Sequence, residues 1–209
     1  MDTFKKTDFS KLKKYIEQSI EQFDMISYER KNNLKSLSVD IKVLLSSSNY
    51  ANLNFICTHN SRRSHLSQLW AQTAAHFYNI ENVYCFSGGT EATEFNRNAI
   101  NAIQRAGFKS LKITNSLNPT YHVFYTNNNF STHYSKIYFE PPNPNTNFIA
   151  VMTCGDANES CPVVDGCSKK ISLLYEDPKK FDGTAKENIA YDDRCREISR
   201  ELLFTFSLL

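Results

Sequence analysis

The chain has 209 residues, 41% apolar and 22% charged, enough to bury a full core as one domain plus an appendage. Its 24 basic and 22 acidic side chains leave a net charge of +2, and no basic stripe is interleaved with aromatic residues, so a nucleic-acid partner is not expected. No apolar run approaches the ~20 residues of a membrane span, and the N-terminus lacks a signal-peptide core, so a cytoplasmic protein without a membrane partner is expected.

Residues 1–50 carry two helical stripes: Leu12, Ile16, Ile20 and Phe23, then Leu34, Leu37, Ile41, Leu44 and Leu45, with Ser27 as a cap for the second. They read as an appended helical hairpin, residues 1–50, preceding a second unit over 51–209, with residues 46–52 as linker. Residues 53–57 form a short apolar strand ending at Cys57. An amphipathic helix follows, with Leu66, Leu69, Trp70, Thr73, Ala74 and Phe77 on one face. A second strand over 82–87 ends at Gly88-Gly89-Thr90. A helix from about Asn96 to Ala106 stops at Gly107, and a strand lies around Leu111–Thr114. This alternation predicts a parallel sheet with right-handed crossovers. Two aromatic stretches around Asn127-Asn-Asn, within 121–140, read as an inserted hairpin. Buried strands are expected over 148–152 and 171–174. A last helix carries Ile189, Cys195, Ile198, Leu202 and Leu203.

The chemistry concentrates where the first strand meets the first following helix. A strand, a tight loop and a helix aim backbone N–H groups and the positive helix end at a point above the loop. Cys57 stands at that point and Arg63 can return its guanidinium fork to it. Thr58, His59, Asn60, Ser61, Arg62, Arg63 and Ser64 are thus a cradle for a tetrahedral oxyanion with a thiol at its base. Donors that hold an anion also favour a negative sulfur. The plain alternative is a small buried cysteine at a strand end. Cys154 and Cys161 bracket a polar stretch after the strand over 148–152, an arrangement that permits a disulfide relay with Cys57; two ordinary loop cysteines are the alternative. Asp177-Pro178 follows the last strand, where a carboxylic acid near a bound oxyanion can protonate a leaving oxygen. In the cytosol the six cysteines are expected to be reduced, catalytic or metal-bound rather than bridged. Zinc on Cys154, Cys161 and Cys167 is not expected, because the spacings are wide for paired thiolates and no histidine lies close in sequence.

The run Cys57-Thr-His-Asn-Ser-Arg-Arg63-Ser64 resembles the signature of the low-molecular-weight protein tyrosine phosphatase superfamily, and Asp177-Pro178 resembles its general-acid loop. Ser87-Gly88-Gly89-Thr90-Glu91 is similar to its serine-glycine strand end. The segment from Cys154 to Cys161-Pro162 looks like the redox loop of thioredoxin-coupled arsenate reductases. The resemblance spans about residues 52–207. It implies a three-layer α/β/α fold with a four-stranded parallel sheet, to which the N-terminal helical hairpin is added. Some positions depart from the pattern. His59 stands where the family commonly has glycine, and Arg62 where the reductases often have cysteine or an apolar residue. Gln68 stands where potassium-binding reductases place glutamate, and Lys179-Lys180 where phosphatases usually place tyrosine.

The resemblance implies reduction of arsenate to arsenite, with Cys57 as nucleophile, Arg63 and the loop holding the anion, and Asp177 as acid. Cys154 and Cys161 would carry the relay, with no bound cofactor and thioredoxin or a similar dithiol as reductant. A phosphomonoesterase needing only Cys57, Arg63 and Asp177, and a non-catalytic oxyanion sensor, are the alternatives.

Overall fold

The computed structural model of the chain describes residues 8–160 and 163–209. Among the described residues six α-helices accompany seven strands. Helices α1 (Ser10–Glu21) and α2 (Tyr28–Ser48) precede β1 (Ala51–Cys57), α3 (Arg63–Phe77), β2 (Val83–Gly89) and α4 (Arg97–Ala106). Strands β3 (Lys109–Lys112), β4 (Tyr121–Phe124) and β5 (Phe130–His133) come next. They are followed by β6 (Phe148–Met152), α5 (Gly155–Ser160), β7 (Cys167–Ser172) and α6 (Glu187–Phe206).

The main sheet has the order β2-β1-β6-β7, and all three pairings are parallel. Strand periodicity sorts its side chains to two faces. Leu53, Phe55, Ile149 and Val151 face a core shared with α1, α2, α3, α4 and α6, whereas Ile56, Phe148, Ala150 and Met152 face a smaller cluster with Ala157 of α5. Helices therefore cover both faces, as a buried parallel sheet requires. The expected three-layer fold and its added helices are present.

The local signals act as expected at several ends. Ser27 Oγ accepts from Arg30 N at 3.2 Å, Asn96 caps α4, and Gly107 ends it at φ 110°. Elsewhere the structure corrects the reading. The strand around 111–114 is not in the parallel sheet: β3 pairs antiparallel with β4, and β4 with β5, in a separate three-stranded sheet. Lys109–Lys112 is mostly exposed, and such a segment cannot lie between two covering layers. The supposed linker is largely helix, since α2 runs to Ser48 and stops at Asn49 in the left-handed region. The last strand begins earlier, at Cys167, and Ile189 is exposed rather than part of the α6 stripe.

Leu12, Ile16, Leu34, Leu37 and Ile41 belong to the same continuous core as the sheet residues. Deleting a buried leucine side chain from such a core costs ~2–5 kcal/mol. Leu37→Ala should lower the urea unfolding free energy of the whole chain by that amount within one transition. A separate early transition, with the sheet unaffected, would show the N-terminal helices folding on their own.

Candidate active site

Strand β1 ends at Cys57, residues 58–62 form a loop, and α3 begins at Arg63. Cys57 lies beside Gly89 and Ile56 beside Met152 in the sheet register, so the carboxyl ends of β1, β2 and β6 make one edge. Thr153 N and Oγ1 both donate to Ile56 O, which carries the chain on to Cys154 at this same edge.

Asn60 organises the loop. It is the loop residue in the left-handed region, at φ 43°, a conformation asparagine tolerates. His59 does not need it, which is how a histidine fits where glycine is common. Asn60 Oδ1 accepts from Lys136 N at 2.9 Å, and its Nδ2 donates to Ser64 Oγ at 2.8 Å. Ser64 Oγ lies 3.1 Å from Cys57 Sγ. Asn60 donates to one lone pair of the Ser64 hydroxyl, whose hydrogen can turn to the sulfur.

Arg63 is 8% exposed. Its Nη1 donates to Tyr175 O at 3.1 Å and its Nη2 to Asp177 Oδ2 at 2.6 Å. Its Nε is buried and has no hydrogen-bond partner among the described residues. Buried donors are rarely left unmatched, and this one belongs to a side chain that lines a small recess together with Cys57, His59, Ser61, Arg62 and Asp177. The first-turn amides of α3 have no helical acceptor either, so the arrangement fits an anion. Asp177 Oδ1 accepts from Lys179 N at 3.0 Å and caps the short turn Pro178–Phe181.

Two of the expected loop residues turn their side chains elsewhere. Arg62 Nε donates to Tyr191 OH at 2.7 Å, and its Nη2 lies 3.3 Å from Asp182 Oδ2. Thr58 Oγ1 lies 3.4 Å from Cys154 Sγ. Cys154 is fully buried, in the same apolar cluster as Cys57. Cys161 lies outside the described residues. Cys85 and Cys195 are core thiols, each pushed up by burial, Cys195 to about 11.

Behind the loop is a dry polar network. Ser87 Oγ donates to Gln68 Oε1 at 2.7 Å and lies 3.2 Å from His65 Nδ1, which is itself 3.2 Å from His133 Nδ1. Burial, aided by the nearby Lys136 ammonium, pushes His133 down to about 3, and holds His65 well below the usual imidazole range. Lys136 is itself lowered to about 8 by burial. A potassium ion does not fit here: the amide of Gln68 supplies no charge, and the Lys136 cation already acts on both imidazoles. Gly89 seals the loop from the side, because a Cβ there would sit 2.6 Å from both Asn60 N and Thr58 O.

No family model matches the chain. The arsenate reductase of Bacillus licheniformis is 28% identical over 153 residues, covering 73% of this chain and 92% of that protein. A YwlE mutant from Bacillus subtilis superposes with a TM-score of 0.51 at 14% identity, over 76% of this chain and 97% of its own. A low-molecular-weight phosphotyrosine phosphatase from Vibrio cholerae superposes with a TM-score of 0.50 at 10% identity, over 74% and 93%. The chain has the low-molecular-weight phosphatase fold. In sequence it is similar to arsenate reductases, at 28% identity.

Within that fold, sequence patterns did not reveal Ser135 and Lys136, which brace His59 O and Asn60 from an inserted segment. Nor did they reveal Tyr191 and Asp182, which hold Arg62. Each contact joins residues more than seventy positions apart or lies in an unpatterned loop. Gly89→Ala should move the 58–60 backbone, lowering oxyanion affinity at least ~10-fold while the far-ultraviolet dichroism stays that of the wild type. The buried imidazoles give a second expectation. Unfolded histidine takes up a proton near ~6.5, whereas the folded pair does not, so stability is full above that pH and falls as pH drops toward the folded value. Between pH 7 and pH 5, His133 alone should cost ~2 kcal/mol of urea-measured stability, and His133→Asn should make that slope shallower, leaving the share of His65.

Proposed function

We propose that the chain reduces arsenate to arsenite through a cysteine nucleophile and a disulfide relay. The observation that carries this reading is the second thiol. Cys154 is buried one hydrogen bond from the loop that begins at Cys57, a place for which ester hydrolysis has no use. The likeness to arsenate reductases supports the same reading.

In this scheme the oxyanion meets the free Nε of Arg63 and the amides at the start of α3. Cys57 Sγ attacks arsenic as Asp177 protonates the departing oxygen, which leaves as water. Cys154 Sγ then attacks Cys57 Sγ. The S–As bond breaks, its electron pair stays on arsenic, and arsenite departs as As(III) while the two sulfurs form a disulfide. Cys161 attacks Cys154 and frees Cys57, and the resulting Cys154–Cys161 disulfide is reduced by thioredoxin or a similar dithiol. The two electrons arsenic gains are those the paired thiols lose.

A phosphomonoesterase using Cys57, Arg63 and Asp177 is the second reading, favoured by the fold's likeness to phosphatases. The residues after Asp177 favour the reductase: Lys179 and Lys180 are exposed cations, without a ring there to flank a phenolic ester.

Asp177→Asn should lower turnover ~10²–10⁴-fold while oxyanion binding persists. Cys154→Ser should abolish arsenite production but spare any aryl phosphatase activity. Cys161→Ser should allow about one turnover and trap a Cys57–Cys154 disulfide, visible by mass spectrometry after a pulse of arsenate. Wild-type activity in both cysteine variants, with no such disulfide, would leave the phosphatase standing.

A further inference from the structure

We infer that Arg30, in the first turn of α2, is a positioning residue for the Asp177 acid, and so gives the N-terminal helices a part in the chemistry. The inference rests on the functional reading above for the role of Asp177, but its geometry is independent of that reading.

Arg30 reaches across the domain to the segment that leads into Asp177. Its Nε and Nη2 each donate to Glu201 at 2.9 Å, one to each carboxylate oxygen. Nη2 also donates to Leu174 O at 3.1 Å, and the guanidinium lies over the Tyr175 ring, 4.9 Å from its centroid. Glu201 is 3% exposed. The pair is forked and largely dry, the geometry in which arginine is not replaceable by lysine.

The segment it grips is pinned at successive backbone groups. Leu173 N donates to Met152 O at 2.8 Å, and Tyr175 N to Thr153 O at 3.1 Å. Leu174 O is held by Arg30 and Tyr175 O by Arg63. Two residues later Asp177 meets Arg63 Nη2. Among the described residues, Arg30 is the part of this clamp that comes from residues 1–50. The two superposed phosphatase-fold structures are nearly fully matched yet leave about a quarter of this chain unmatched. Without Arg30, Leu174 O and the Tyr175 ring lose this partner and Glu201 is left as a buried carboxylate without its forked cation. The displaced group would be the acid first: among the described residues Asn60, Ser64 and Cys57 take no bond from this segment, and Arg63, which meets it at Tyr175 O and Asp177, is anchored independently in the first turn of α3.

The test compares Arg30→Ala and Arg30→Lys with wild type in the full chain, using aryl phosphates of graded leaving ability and amide hydrogen exchange over 173–177. A misplaced acid matters only when the leaving oxygen needs a proton. Arg30→Ala should therefore slow kcat at least ~10-fold for poor leaving groups, with good leaving groups and inhibition by inorganic phosphate within about twofold. Exchange over 173–177 should quicken ~10-fold while β1 stays protected, and Arg30→Lys should fall between. Glu201→Gln serves in place of Arg30→Ala if the latter does not fold. Unchanged leaving-group dependence and exchange, or an equal loss for every ester with general deprotection, would overturn the inference. If wild type turns over neither arsenate nor any aryl phosphate, the functional reading fails, and the exchange alone decides whether Arg30 holds the segment.

Discussion

A buried guanidinium needs partners on every side, and Arg63 sets that demand at the centre of this molecule. Removing such a cation from water is tolerable only when it is hydrogen-bonded and its charge is matched. Its fork is met by Tyr175 O and Asp177, which ties the start of α3 to the chain leaving β7. What remains is the buried Nε, on a side chain that lines the recess beside Cys57. The strand ends, the loop and the acid segment are arranged around satisfying this one side chain.

The rest of the cradle is held from behind. Asn60 bonds both Lys136 N and Ser64, and Gly89 lies against the loop, its N donating to Lys136 O while its O accepts from Tyr138 N. The segment after β5 thus runs beside β2 and packs against the back of the loop. The inserted hairpin is more than decoration on the fold, since it delivers Ser135 and Lys136 to the back of the anion loop. The imidazoles beneath are kept neutral by burial, so the positive charge at the mouth comes from Arg63 and the helix end, beside an Arg62 that is paired with Asp182.

The two thiols share an environment. Both lie in one apolar cluster, Cys57 with the Ser64 hydroxyl at 3.1 Å and Cys154 with the Thr58 hydroxyl at 3.4 Å. In the proposed relay the first would act as the nucleophile and the second as the resolving thiol.

Much of this was legible in the sequence. The strand–loop–helix run at Cys57 fixes the cradle, because a short apolar run and a helical stripe so close together leave the chain one way to turn. The caps at Ser27, Asn96 and Gly107 are local, and local chemistry decides them. The parallel sheet followed from alternating periodicities, but the strand at 109–112 did not, since a period-two pattern does not say which sheet a strand joins; its exposed lysines and the proximity of β4 settled that. The pairings of Arg30 with Glu201, Arg62 with Tyr191 and Asp182, and Asn60 with Lys136 were invisible. Each depends on where elements far apart in the chain come to rest, and no spacing or composition rule encodes a contact between residues 76 to 171 positions apart. The sequence by itself determined which residues form the loop between β1 and α3; only the packing of α2 and α6 against residues 173–177 decided what holds that segment in place.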